Sequence, residues 1–188
     1  MKKQSLGIYI LRLSLTLLII TGVVAGGLAG VNAITADRIA AIQAEKTQKA
    51  IAQVLPGPGT PEEVPLPADA PVAAVYRLAP EGEPVRYAVE VRPAGFGGEI
   101  SMMVGVEETG EILGIAIIDH SETAGLGAVA AADTAKGRQF RDQFPGLSGT
   151  LAVKKDGGTV DAISGATVTS RAVTQGINTA LAWVAENG

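Results

Sequence analysis

The chain has 188 residues, 47% of them apolar, 18% charged and 4% aromatic, with no cysteine, one histidine and a formal net charge of −4, a length that suits a single domain. With a pI near 5.0 and Lys and Arg scattered rather than striped, there is no basic surface for a phosphate backbone, and no nucleic-acid partner is expected. Without cysteine there is no disulfide, iron–sulfur cluster, thiolate zinc site or haem attachment, and the lone His120 supplies too few nitrogen ligands for a transition-metal centre. No metal is expected, so redox chemistry here needs an organic cofactor.

The positive mean hydropathy, +0.29, owes much to one uncharged stretch from Leu13 to Ala36. About 20 such residues, rising ~1.5 Å each, cross a ~30 Å hydrocarbon core, so residues 13–35 are predicted as a transmembrane helix. Lys2, Lys3 and Arg12 precede it and no acid does. The positive-inside rule then leaves residues 1–12 in the cytoplasm and exports the rest of a single-pass chain. Val31-Asn32-Ala33 resembles a signal-peptide cleavage site, but the apolar run exceeds the ~7–15 residues of a signal core, which favours a retained anchor. Gly22, Gly26 and Gly30 recur at four-residue spacing with Gly27 beside them. That is a bare helix face open to another membrane helix, although glycine is also common in membrane helices generally.

Residues 36–54 suit a mostly solvated helix continuing outward, with Thr35 placed to cap its start. The prolines from Pro56 to Pro71 make residues 55–71 a stiff linker, and residues 72–188 form the remaining domain. There the period changes to two. Tyr87, Val89 and Val91, then Ile100, Met102, Val104 and Val106, alternate with other residues and predict strands with one buried face. The turn Glu107-Glu108-Thr109-Gly110 leads into the β-branched run Ile112–Ile118, which predicts a hairpin. A helix is expected over Ala130–Phe144, a strand near Leu151–Val153, a turn at Asp156-Gly157-Gly158, and a last helix burying Val173, Ile177, Leu181 and Val184. The fold class is α+β: a transmembrane helix, then a small domain with a largely antiparallel sheet and packed helices.

Before the last helix lies Asp161-Ala162-Ile163-Ser164-Gly165-Ala166-Thr167-Val168-Thr169-Ser170, small residues and hydroxyls at a helix start. Helix N-terminal N–H groups lack internal acceptors and carry the positive end of the macrodipole, so a phosphate fits there, with Gly165 and Ala166 leaving the approach open. The plainer alternative is that Ser and Thr only cap the helix.

Asp161 to Thr167 matches the D-x-x-S/T-G-A-T signature of proteins carrying FMN esterified to threonine through its phosphate. The segment Gly95-Phe96-Gly97-Gly98-Glu99-Ile100 resembles the same family's glycine-rich lead into a strand. His120-Ser121-Glu122-Thr123-Ala124-Gly125-Leu126-Gly127 resembles its H-x-E-T-P-G-L-G loop, with Ala124 where proline is usual. Together with the N-terminal anchor, these motifs make the chain resemble the G subunits of Rnf ion-translocating electron-transport complexes, relatives of the C subunit of the sodium-pumping NADH:quinone oxidoreductase.

The resemblance implies covalent FMN on Thr167, installed by a separate flavin transferase that uses FAD. Asp161, Ser164, Gly165 and Ala166 would be the transferase signature and phosphate bed, with Thr169 and Ser170 capping the helix and donating to phosphate oxygens. Glu122, Thr123, Gly125, Leu126 and Gly127 would meet the isoalloxazine ring, and His120 and Lys154, with Lys155 beside it, would lie near flavin or phosphate. It implies a one-electron carrier on the cell's cytoplasmic membrane among other membrane subunits, with ferredoxin:NAD oxidoreduction coupled to ion transport as the complex's reaction. No catalysis by this chain alone and no catalytic residue is expected. Rival readings are the C subunit of the quinone-linked pump, a stand-alone extracytoplasmic FMN carrier, and a secreted binding module without redox function.

Overall fold

The structure, a computed structural model, describes residues 6–188, with only the backbone of Leu6. Lys2 and Lys3, on which the expected orientation partly rests, lie outside the described residues. Helix α1, Leu6–Val54, is unbroken over 49 residues, and the chain divides into two compact units, residues 1–45 and 46–188. Within the first unit the described residues, from Leu6 on, are helix, with exposed large apolar side chains from Ile8 to Ile42, long and apolar enough to cross a membrane. The hydroxyls of Thr16, Thr21 and Thr35 donate to the carbonyls of Arg12, Leu17 and Val31 at 2.8–2.9 Å. Thr35 therefore caps nothing; with no helix start beside it, its hydroxyl is satisfied within the ladder. Around Gly22, Gly26 and Gly30 the described residues leave open space.

The second unit is built on a five-stranded antiparallel meander, β1 Glu62–Glu63, β2 Ala74–Leu78, β3 Arg86–Val91, β4 Ile100–Glu107 and β5 Ile112–His120, in sequence order. The β4–β5 hairpin follows the expected pattern, since antiparallel strands joined by short turns need no crossover. The single buried face expected of β3 and β4 is corrected to two: Ala88, Glu90 and Met103, on the face opposite Val89 and Val104, are buried as well, because both sides of the sheet are covered. β2 escapes the pattern because Val75 faces one core and Leu78 the other. Within the proline-rich stretch, Glu62 and Glu63 pair with Arg77 and Tyr76 as an edge strand.

Each sheet face has its own cover. On one, the last turn of α1 sets Ala50, Ile51, Val54 and Leu55 against Leu78, Ala88, Met103 and Ala116. On the other lies α3, Thr167–Asn187, with Val173, Ile177, Leu181 and Val184 buried. At ~1.5–3 kcal/mol per buried aliphatic side chain, this stripe holds the helix to the sheet. Trp183 meets Tyr87 edge to face, ring centres 6.2 Å apart.

Two expected elements come out differently. The helix foreseen over Ala130–Phe144 is a short 3₁₀ turn, Gly127–Ala130, followed by α2, Ala135–Arg141. The break falls where Thr134 caps α2 by accepting from Gly137 N at 3.2 Å, and where a side chain at Gly137 would overlap the Ala132 carbonyl. The strand foreseen at Leu151–Val153 never joins the sheet, because the side-chain amide of Asn178 stands in for a neighbouring strand. It accepts from Leu151 N and donates to Leu151 O, both at 2.8 Å.

Candidate functional site

The site is assembled at the start of α3. Ala166 N donates to Ile163 O at 3.0 Å, and Gly165 takes φ +79°, a left-handed conformation that disfavours any side chain. The turn delivers Thr167 as the first residue of α3, and no side chain caps the helix, so the first-turn amides carry the positive end of the dipole outward. The expectation that Thr169 and Ser170 cap the helix and reach a phosphate is corrected here: both hydroxyls are buried and already engaged. Ser170 Oγ accepts from Ile163 N at 2.9 Å and donates to Ala166 O at 3.0 Å, closing the Ile163–Ser170 turn on itself. Thr169 Oγ1 donates to Glu122 Oε2 at 2.5 Å.

Glu122 is the centre of the arrangement. Only 9% exposed, it also accepts from Gly97 N through Oε1 at 2.9 Å. A side chain at Gly95 would overlap Oε1, and one at Gly127 would overlap Oε2 and Thr169 Oγ1. The glycines of two separate motifs thus clear the slot that this carboxylate fills. Burial opposes its charge, but the hydrogen bonds from Thr169, Gly97 and Phe96, with His120 nearby, outweigh that and hold its carboxyl below the ordinary glutamate range. His120 lies at the end of β5, where Nδ1 accepts from Glu122 N at 3.2 Å; it shapes the loop and does not line the cleft described next.

In front of Glu122 opens a cleft of about 350 Å³ lined by Phe96, Thr123, Leu126, Gly127, Lys155 and Gly165 to Thr169, within the ~300–1,000 Å³ of small-molecule sites. Among the described residues after Glu45, the exposed large apolar side chains are Phe96 at 72%, Leu126 at 45% and Val168 at 46%, and all three line this cleft. Apolar surface left in water costs free energy, so its concentration around one hydroxyl marks a binding surface. Phe96 and Val168, absent from the candidates singled out by sequence, belong to it; Phe96 was legible only as a large residue inside a glycine run.

Of the two lysines considered, Lys155 and not Lys154 lines the cleft. Lys154 Nζ pairs with the Asp161 carboxylate at 2.8 Å. Lys155 is carried on a 3₁₀ turn, Lys154–Asp156, clamped to α3 by Arg171, whose Nε and Nη2 each donate to the Asp156 carboxylate at 2.6 Å. That guanidinium holds the Asp156 carboxyl below the usual aspartate range.

Asp161, Ser164 and Gly125 line a second cleft of about 410 Å³ against α2, with Lys136 and Gln143. There the Gln143 amide accepts from Asp161 N at 2.8 Å and donates to Asp161 O at 3.1 Å, fixing the segment as a paired strand would. The structure thus brings Glu122, Thr123, Leu126, Gly127, Gly165, Ala166, Thr167 and Thr169 to one cleft and sets Asp161, Ser164 and Gly125 on the other.

The FMN-binding domain family matches residues 95–182, and the RnfG N-terminal region matches residues 1–54. The G subunit of the Na(+)-translocating ferredoxin:NAD(+) oxidoreductase complex of Acetobacterium woodii is 33% identical, covering 90% of this chain and 88% of the relative. The G subunit of the ion-translocating oxidoreductase complex of Methanosarcina acetivorans is 33% identical over 93% of this chain and 94% of its own, and that of Pseudomonas aeruginosa 33% over 86% and 82%. Among solved structures, the C subunit of the Na(+)-translocating NADH-quinone reductase of Parabacteroides distasonis is 23% identical, with TM-score 0.47 over 61% of this chain and 64% of its own.

Proposed function

The chain belongs to the family of G subunits of ion-translocating oxidoreductase complexes, and from that membership we propose that it is a membrane-anchored electron-transfer flavoprotein subunit with FMN esterified to Thr167. The observation that carries the reading is the convergence at one cleft of a side-chain-uncapped helix start, an exposed apolar trio and the Thr167 of the flavinylation signature. The residues fit the group by type. The first-turn amides of α3 and Lys155 suit a phosphate, Phe96, Leu126 and Val168 suit an aromatic ring system, and Thr123 offers a hydroxyl at the ring's polar edge. When bound, FMN supplies the electron-accepting and electron-donating chemistry; the protein positions it and excludes water.

Thr167 is a substrate in maturation. Its hydroxyl oxygen attacks the FMN phosphorus of FAD, the phosphoanhydride bond breaks, AMP leaves, and the hydroxyl proton passes to the flavin transferase, which must activate this weak nucleophile. We place residues 13–35 in the membrane with the N-terminus cytoplasmic, as Arg12 and the lysines before it favour, and residues 72–188 outside as the FMN-binding domain. Covalent attachment suits that side, where lost flavin could not be replaced from the cytosol. The partners are the other membrane subunits, and the whole complex's reaction is ferredoxin:NAD oxidoreduction coupled to ion movement. The test is in-gel flavin fluorescence after denaturing electrophoresis of membranes co-expressing a flavin transferase. Fluorescence is expected at the position of this chain in wild type and absent in Thr167→Ala; an equally bright variant overturns the assignment.

A further inference from the structure

Glu122 is a buried carboxylate that the attachment chemistry does not use. The chain nevertheless spends two glycine positions on clearing space for it: side chains at Gly95 and Gly127 would overlap its oxygens. It binds the glycine loop through Gly97 N at 2.9 Å and the first turn of α3 through Thr169 Oγ1 at 2.5 Å. Thr169 lies two residues after Thr167 on that turn, and Glu122 and Thr167 line the same cleft. A buried, hydrogen-bonded acid at this place does two physical things. It ties the turn bearing Thr167 to a loop that is remote in sequence. It also stands as a fixed charge beside the cleft, where partial exclusion of water strengthens Coulomb forces.

We propose that Glu122 is a positioning residue that fixes the Thr167 turn and, through its charge, lowers the reduction potential of the group held on Thr167. This rests on the reading that FMN is attached there. An electron taken from a donor protein and not matched by a proton leaves a negative charge in the cleft, and the carboxylate opposes it. Glu122→Gln keeps the shape and the bonds to Gly97 N, through the amide oxygen, and to Thr169, through the amide nitrogen, but removes the charge. Thr169→Val keeps the charge and cuts the tie.

The test uses the full chain in detergent micelles. In the flavin-free chain, hydrogen exchange at Ser170 N, which donates to Ala166 O at 3.0 Å, is expected to be about tenfold faster in Thr169→Val than in wild type; unchanged exchange overturns the positioning half. After flavinylation, spectroelectrochemistry of Glu122→Gln is expected to show a reduction equilibrium about tenfold further toward the reduced form, ~59 mV for one electron. A smaller shift is expected in any loaded Thr169→Val. A potential equal to wild type in Glu122→Gln overturns the charge half. Absence of covalent flavin from wild type sinks the Thr167 reading instead and leaves the exchange result standing.

Discussion

Gly105 and Gly114 face each other across the β4–β5 hairpin, beneath the last turn of α1, yet alanine should be rejected at one and accepted at the other. A Cβ at Gly105 would overlap the Val54 carbonyl oxygen and come within 3.0 Å of the Val54 carbonyl carbon and Cβ, whereas at Gly114 the nearest atom is Val54 Cα at 3.9 Å. The obstructing atoms are backbone in a turn closed by Leu55 N donating to Ile51 O at 2.8 Å, so no side chain can swing aside. Lifting the turn away would uncover Ile51, Val54 and Leu55, all buried, at ~1.5–3 kcal/mol each. A local shift is less costly, and Gly105→Ala should destabilise by the ~1–3 kcal/mol typical of overpacking. Gly114→Ala should be neutral or stabilising by up to ~1 kcal/mol, through loss of backbone freedom in the unfolded chain. A difference of ~2 kcal/mol corresponds to a Tm gap of about 4–8 °C for a chain of this size. Thermal unfolding of the two full-length variants, followed by far-ultraviolet circular dichroism, reads that gap directly. Equal midpoints would refute the docking of α1 on β4 at Gly105.

Gly127→Ala pushes into the Glu122 carboxylate and the Thr169 hydroxyl; losing that charge-assisted bond costs ~1.5–3 kcal/mol, and both Tm and covalent flavin yield should fall, by circular dichroism and in-gel fluorescence. Because the folded chain holds Glu122 below the ordinary glutamate range, its contribution is present above the unfolded-state pKa and lost as pH falls through the folded one. Urea titrations from about pH 6 to about pH 3 should therefore show a shallower loss of stability in Glu122→Gln than in wild type, and parallel curves would contradict that assignment. Phe96→Ser removes a side chain 72% exposed, so stability should stay within ~0.5 kcal/mol. The visible spectrum of attached flavin should change, and an unaltered spectrum would argue against a ring resting on Phe96.

What the sequence made legible follows from how local each signal was. The faces of β3, β4 and α3 repeat at the period of their element, and the helix-start motif at Asp161–Thr167 is contiguous. Illegible were features in which one residue serves a distant one. β2 divides Val75 and Leu78 between two cores. Asn178 and Gln143 replace strand partners with side-chain amides. The roles of Thr169 and Ser170 inverted for the same reason: a hydroxyl near a helix start reads as a cap, and only the fold shows that Glu122 and Ile163 have claimed them. Lys154 and Lys155 are indistinguishable by position until Asp161 is seen to hold one of them.

The three motifs therefore depend on one another through the interior. The glycine run supplies Gly97 N–H and the gap at Gly95, the loop after β5 supplies the carboxylate and the gap at Gly127, and the helix start supplies Thr169. An acid with no donor would be a buried, unpaired charge, and a donor with no acid a buried hydroxyl without its acceptor, each costing more than the contact gains. Losing any one motif strands groups in the other two. Thr167 and the cleft then depend on a closed circuit of short contacts, which gives a solvent-facing helix start, usually among the first parts of a helix to fray, a fixed geometry.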